Sequence, residues 1–408
     1  MKTQIPHNPK IALVYDRLTV QHGGAEDVLQ TLKLAFPDAT VFTSIWNTRI
    51  SWTKDWRISS SFLQRIPFSH RLHRVLALLM PLAFETLDFS DFDIILSVSS
   101  AEAKGVLTKP WQLHLCYLFT PTRYLYEFET TYAKNDGWHQ LPILRQLVSL
   151  TRAYLRWWDQ QASLRPDLYL TLSQKSARKI QQIYNRPAQV VYPPVLQPLL
   201  SSKTSTAHAE VSWRYALSIS RLVPYKRVAV AMEACQQSGL PLVIVGTGPD
   251  FSHLLKLNPA QTYIRSEEES VESALNAMQK QQKTFLFTRS VSDDEKVFLI
   301  TNAQSALMLG DEDFGISALQ ALLFGTPVIV SKNAGASELL SNNSSVTILP
   351  SVSASTVKKA LVQQQKTHKP IKVPDELKQA VEPKLFIRQM QEIVYDEWRK
   401  YMKKYDRK

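Results

Sequence analysis

Apolar positions along the chain come in short, dense runs separated by polar, glycine-bearing turns. Ile11 to Tyr15 (IALVY) is apolar throughout, as expected of a strand buried on both faces. A loop carrying Gly23-Gly24 follows, then a helical pattern through Leu34, then a second strand predicted over Ala39 to Thr43. Strand, glycine turn, helix, strand opens a βαβ unit and therefore a parallel sheet. Further strands are predicted at Asp93 to Val98, His114 to Phe119 and Leu168 to Leu172, with amphipathic helical stretches between them.

The segment Leu196 to Val211 follows Pro193-Pro194, is rich in Ser and Thr, and reads as a linker. After it the pattern restarts. Tyr215 to Ile219 is a predicted strand, Val228 to Ser238 a helix, and Leu242 to Val245 a strand ending in Gly246-Thr247-Gly248-Pro249. Ala306 to Leu309 and Pro327 to Val330 add strands around a helix from Ile316 to Phe324. Residues 266–283 read as a charged, solvated helix, and 381–408 as a terminal helix with six basic residues from Arg399 to Lys408. The pattern thus gives two α/β domains, 1–196 and 197–380, and a terminal helix, 381–408.

Composition narrows the class. With 408 residues, 44% hydrophobic and 21% charged, the chain is globular and long enough for two cores. Its 48 Lys and Arg outweigh 36 Asp and Glu by 12, a surplus that attracts phosphates of some kind. Cys116 and Cys235 lie far apart with no CxxC pair, so a reducing cytoplasmic setting is expected. His70 and His73 have no carboxylate or thiol nearby to complete a metal site. The N-terminus lacks the apolar core of a signal peptide, and the longest apolar run, Val75 to Phe84, contains Pro81 and is too short to span a bilayer.

Three places put flexible backbone between a strand and a helix, where free N–H groups and the helix dipole face an anion: His22 to Glu26, Gly246 to Pro249, and Glu312 to Ile316. None matches GxGxxG or GxxxxGK[ST], which disfavours a dinucleotide dehydrogenase or a P-loop ATPase. Sharper is Ser220-Arg221-Leu222-Val223-Pro224-Tyr225-Lys226-Arg227, directly after a strand. Arg221 and Lys226 fall at the strand's carboxyl end, where open α/β sheets bind ligands, and fork plus point charge suit a diphosphate. Taken alone, each glycine turn also fits an ordinary loop, and the basic segment a solvated surface turn.

Together, VYDRLTVQHGGAEDVL, FSDFDIILSVSSAEAKGV, TPTRYLYEFE, SRLVPYKRV, IVGTGPD and GDEDFGISALQALLFGTPVIV resemble the signature blocks of family 4 retaining glycosyltransferases of the GT-B fold, in order, from about residue 10 to about 340. The resemblance implies two Rossmann-like domains with parallel sheets facing a cleft, acceptor on the first and nucleotide sugar on the second, with the terminal helix crossing back. It implies that Arg221 and Lys226 bind the donor diphosphate and stabilise the leaving charge without a metal. Glu312 would lie near the transferred sugar, as the first Glu of E-x7-E. Gly23, Gly24, Gly246 and Gly248 would line the donor, and Phe314, Gly315 and Ile316 would offer backbone N–H groups.

Three positions depart from that pattern. Gln320 stands where the second Glu of E-x7-E accepts from the nucleotide ribose; loss of the charge costs about 1 kcal/mol, roughly fivefold in affinity. Phe119 stands where a histidine before Thr-Pro, close to Arg123 on the sugar and acceptor side, would reach the donor sugar. Thr288 replaces a common glycine outside the reaction centre. The expected function is hexosyl transfer, mannose from GDP-mannose first and UDP-hexoses next, to a cell-surface glycan or polyprenyl-linked acceptor. The alternative is a catalytically impaired relative serving as scaffold in glycan assembly. No cofactor, metal or nucleic-acid partner is expected. Arg65, His70, Arg71, His73 and Arg74 beside Phe62, Leu63, Leu76 and Leu78 fit two readings equally: a basic amphipathic surface in peripheral contact with an anionic membrane at the inner face, or a core-packed helix with a solvated basic face.

Overall fold

The computed structural model describes residues 8–21, 23–67, 69, 75–127, 142–196, 213–341, 343–366 and 373–405. The chain forms two compact units, Met1–Pro194 with Val381–Lys408, and Val195–Ala380.

The first unit is built on a parallel seven-stranded sheet. Its strands are β1 (Ile11–Tyr15), β2 (Thr40–Thr43), β3 (Ile58–Ser60), β4 (Ile94–Ser99), β5 (Leu113–Leu118), β6 (Leu168–Thr171) and β7 (Ala188–Val190), in the order β3-β2-β1-β4-β5-β6-β7. Every residue of β1, β4 and β5 is buried, the polar Ser97, Ser99 and His114 included, as expected of strands covered on both faces. The helix Gly24–Ala35 turns Val28, Leu29, Leu32 and Ala35 inward, one face at helical spacing. The apolar run 75–84 breaks into a 3-10 turn, Val75–Leu79, and a short helix, Met80–Glu85, which accommodates Pro81 in its first turn. The terminal helix Pro383–Tyr405 buries Phe386, Met390, Val394, Trp398 and Met402, a strict i, i+4 stripe. Within the first unit Gln391 donates to the Ala35 carbonyl at 2.8 Å, and Tyr395 meets Phe36 edge-on.

The second unit carries its own parallel sheet. Its strands are β8 (Ala216–Ile219), β9 (Leu242–Val245), β10 (Thr262–Ile264), β11 (Phe285–Arg289), β12 (Ser305–Met308), β13 (Val328–Ser331) and β14 (Val346–Leu349), ordered β10-β11-β9-β8-β12-β13-β14. The helix Val228–Ser238 ends at Gly239, whose φ of 71° supplies the left-handed cap. Its Ala231, Met232 and Cys235 join Leu242, Ile244 and Phe285 in the core.

Several expectations change here. β3, β7 and β10 are three-residue strands with half-buried or exposed positions, too short for an apolar signature. Residues 266–283 are not a solvated helix: the helix is Val271–Lys280, and it buries Val271, Ala274, Leu275 and Met278 against the sheet side. Of the basic apolar surface, Leu63 is buried and Leu76 packs with it against Ile45, Met80 and Ala83, so those two belong to the core. Phe62 and Leu78 are exposed; His70, Arg71, His73 and Arg74 lie outside the described residues, as does the predicted linker beyond Leu196. In the basic terminal turn, Arg399 pairs with Asp396 and Lys400 with Glu397. Cys116 and Cys235 are buried free thiols, both pushed up to about 12 by burial.

Candidate active site

In the second unit the strand order reverses between β8 and β12, which pair directly. Successive connections leave that point in opposite directions, so the carboxyl ends of β8 and β12 open a crevice, the usual ligand position in such sheets. Arg221 and Lys226 follow β8, and Gly310 to Ile316 follow β12. The two segments interlock. The Asp311 amide donates to the Tyr225 carbonyl at 3.3 Å, and a Cβ on Gly310 would come within 3.0 Å of the Tyr225 oxygen and closer still to the Lys226 Cα. Only glycine lets the backbones approach this far.

That approach brings Lys226 onto Glu312 as a direct ion pair, each side chain 14% exposed. The ammonium also sits over the Tyr225 ring at 5.3 Å. An ammonium carries three donors, so a ligand oxygen can share it with Glu312. Arg221 is exposed, and its guanidinium makes no hydrogen bond or ion pair with a described residue. The Ser220 hydroxyl at the end of the strand is buried without a partner among the described residues.

The glycine turns divide by role. Gly246 adopts φ 134°, and the space its Cβ would need is held by the Ser220 carbonyl; at Gly248 it is held by the Leu222 backbone. With Leu222 donating to Thr247 at 2.8 Å and Asp250 donating back to Leu222 at 3.1 Å, these glycines clamp the Arg221 segment. Gly315, at φ 110°, opens the helix Ile316–Leu323, and its Cβ position faces the Met308 sulfur. Among the described residues the amides of Gly315, Ile316 and Ser317 have no acceptor, while Phe314 is buried. Those amides and the helix dipole form an anion-facing end. Gln320 is 7% exposed; its carbonyl accepts from Lys296 at 2.7 Å and its amide points to the Leu196 carbonyl at 3.4 Å. Thr288 is buried and bonds the Ile244 carbonyl at 3.3 Å.

The remaining predicted residues belong to the first unit. Gly23 caps the helix Gly24–Ala35 with extended backbone, and the place of its Cβ is taken by the Glu26 carboxylate, which also accepts from Tyr15 at 2.7 Å. Phe119 is 8% exposed and meets Tyr117 edge-on at 5.6 Å, a core contact at the end of β5. Arg123 faces Glu127 at 3.7 Å, and Glu127 is held by Lys179 at 2.5 Å. Sequence reasoning missed Gly310 and Lys296. Gly310 had a signal, a glycine directly after a buried strand; Lys296, inside a run of charges, had none. Among the described residues no three His, Cys, Asp or Glu side chains gather as metal ligands would.

Residues 208–372 match the family model described as glycosyl transferases group 1. Among curated proteins, none matches the sequence. The structure resembles that of Anabaena HepE in complex with UDP and glucose, at 14% identity and TM-score 0.65, over 95% of this chain and 100% of that one. It also resembles sucrose-phosphate synthase from Thermosynechococcus elongatus (14%, TM-score 0.58, 98% of each chain). A glycosyltransferase from Rickettsia africae is similar as well (14%, TM-score 0.56, 96% and 99%). These likenesses establish the fold: two Rossmann-like α/β units of the GT-B class.

Proposed function

We propose that this chain is a retaining glycosyltransferase that moves a hexose from a nucleotide sugar to a glycan or polyprenyl-linked acceptor. The observation that carries the proposal is the Lys226–Glu312 pair at the β8/β12 reversal, inside the segment matched by the family model. The acceptor hydroxyl forms a bond to the anomeric carbon as the bond from that carbon to the diphosphate oxygen breaks. The electron pair leaves with the diphosphate, and the hydroxyl proton passes to it. Arg221 and the spare donors of Lys226 meet the charge that develops, with the amides of Gly315 and Ile316 adding fixed dipoles. In this reading the cations replace a metal and no cofactor is required. Mannose from GDP-mannose is the first donor we propose. UDP-hexoses come next, in keeping with the UDP and glucose held by HepE. The place of work is the cytoplasmic face of a membrane, touched peripherally; among the described residues no helix is long and apolar enough to cross one.

A second reading, a catalytically impaired partner in glycan assembly, is favoured by Gln320, whose carbonyl is already engaged by Lys296, and by the buried phenyl of Phe119. Calorimetric titration of the purified chain with GDP-mannose, UDP-glucose, UDP-N-acetylglucosamine, GDP and UDP, with chelator present, separates the two. Micromolar binding of one sugar nucleotide is expected. A folded sample that binds none supports the impaired partner and overturns the transferase.

A further inference from the structure

The helix Pro142–Ala162 carries two apolar faces where a surface helix needs one. Leu155, Trp158 and Ala162 recur at i, i+3 and i+7 and are buried, with Asp159 among them. On another side Leu150, Tyr154 and Trp157 recur at i, i+4 and i+7 and are exposed, Leu150 by 63% and Trp157 by 61%. The Tyr154 and Trp157 rings lie 6.2 Å apart, tilted by 34°. A face meant for water would carry charges at those positions.

A second exposed apolar row lies beside it. The segments Val75–Leu79 and Met80–Glu85 expose Leu78, Leu79 and Leu82, while Met80 and Ala83 enter the core. Glu85 ends that helix and accepts from the Trp158 indole at 2.7 Å and from Arg165 at 2.6 Å, which ties the C-terminal ends of the two helices together. Six large apolar side chains are thus exposed on neighbouring segments of the first unit, where single scattered ones are ordinary.

The charge on these segments has one sign. From Ser61 to Phe84 and from Pro142 to Trp158 the sequence holds no Asp or Glu, against Arg65, Arg71, Arg74, Arg145, Arg152 and Arg156. The acids that close the two stretches are both engaged: Asp159 is buried against Lys104, and Glu85 is held by Arg165 and Trp158. A second copy of the chain fits such a face poorly, because a two-fold contact sets each acid-free segment against itself. An anionic lipid surface fits well. It takes leucines into the acyl boundary, seats Trp and Tyr rings at headgroup level and balances the arginine charge. We infer that the first unit docks on anionic lipid through Leu78, Leu79 and Leu82 together with Leu150, Tyr154 and Trp157. This rests on the membrane setting of the transferase reading and gives that setting a surface. Of the apolar residues picked out in the sequence between Phe62 and Leu78, only Leu78 belongs to it.

The test is co-sedimentation of the full chain with vesicles of phosphatidylcholine, alone or with about 30 mol% phosphatidylglycerol. Binding to the anionic vesicles is expected, about tenfold tighter than to the neutral ones and weakened about fivefold as salt rises from about 0.1 M to about 0.5 M. Leu82→Ser with Trp157→Ser should weaken it about tenfold. Leu34→Ser, which removes an exposed leucine from the helix Gly24–Ala35, should leave it within about twofold of the wild type. Both sites of the double variant are exposed, so it should melt within about 2 °C of the wild type. In vesicles of brominated lipid, Trp157→Phe should still bind but lose much of the tryptophan quenching. No binding of the wild type to anionic vesicles, undiminished binding by the folded double variant, or undiminished quenching in Trp157→Phe overturns the inference. So does a dimer of the wild type that the double variant dissolves, which gives the face to a second copy. A chain that binds a sugar nucleotide but not vesicles refutes this surface alone. One that binds vesicles through this face but no nucleotide refutes the transferase alone.

Discussion

The two sheets reverse at corresponding places, and each reversal carries a cation from the loop after the first strand and a carboxylate from across the gap. They are wired differently. In the second unit the pair is closed, Lys226 directly on Glu312, while the exposed Arg221 has no ion-pair partner among the described residues. In the first, Arg17 and Glu102 make no ion pair, and the closed pair lies beneath them: Lys104 and Asp159 at 2.5 Å, both essentially unexposed. Lys104 also donates to the Ala101 carbonyl and to Thr122, while Asp159 accepts from Thr122, Tyr126 and Tyr184. Topology creates the crevice, and the hydrogen bonds around each charge decide whether it is a structural pin or is free to meet a ligand.

The largest expected effect tests the pin. Lys104→Met should cost about 3–5 kcal/mol, because it leaves the Asp159 carboxylate buried without its counter-charge. Calorimetric unfolding should show the loss as a transition lowered by roughly 10 °C. Lys104→Met with Asp159→Leu should recover much of it, since the desolvation cost then disappears with the charges. Nucleotide binding by the second unit should be unaffected in any sample that remains folded. If the single variant melts within about 2 °C of the wild type, the contrast between fixed and available charge fails.

The next effect tests the other side. Lys226→Ala should lower turnover about 10²–10³-fold, as removal of one group that stabilises a developing oxyanion does elsewhere. With each side chain of the pair 14% exposed, against 0% and 2% for Lys104 and Asp159, it should lower the unfolding temperature less than Lys104→Met does. Glu312→Gln keeps an acceptor for the lysine and should lose less. Wild-type turnover in Lys226→Ala would show that this pair, too, is structural.

Much of this was legible in the sequence, for identifiable reasons. Fully buried strands such as β1 and β9 are continuous apolar runs, and the residues after β8 combine Arg and Lys where a parallel sheet binds ligands. What stayed hidden was pairing across distance. Nothing in the neighbourhood of Lys104 marks it as the partner of Asp159, 55 residues on, or Lys296 as the partner of Gln320. Gly246 and Gly248 read as phosphate-facing, but their missing side chains are matched by the backbone of residues 220–222. A glycine announces a close approach without saying to what. The three-residue edge strands β3, β7 and β10 failed for a simpler reason: three half-buried or exposed residues carry no period.

The smallest effect concerns a charge pair that the chain lacks. Lys296 is half-buried and already donates to Gln320 at 2.7 Å, so Gln320→Glu places a carboxylate where the ammonium points. The result would be a third lysine–carboxylate pair, beside Lys104–Asp159 and Lys226–Glu312. Its stability gain should be within about 1 kcal/mol, since desolvation of a half-buried pair offsets most of its attraction. Donor affinity is the sharper readout. If the amide of Gln320 is what limits nucleotide binding, the variant should bind GDP or UDP about fivefold more tightly in a calorimetric titration. If Lys296 instead captures the new carboxylate, affinity should stay within about twofold of the wild type while the unfolding temperature rises slightly. The second outcome is the one the geometry favours, because the lysine is in place before any ligand arrives. A gain in affinity without a gain in stability would mean that Lys296 yields to the ligand, placing Gln320 among the available groups rather than the pinned ones.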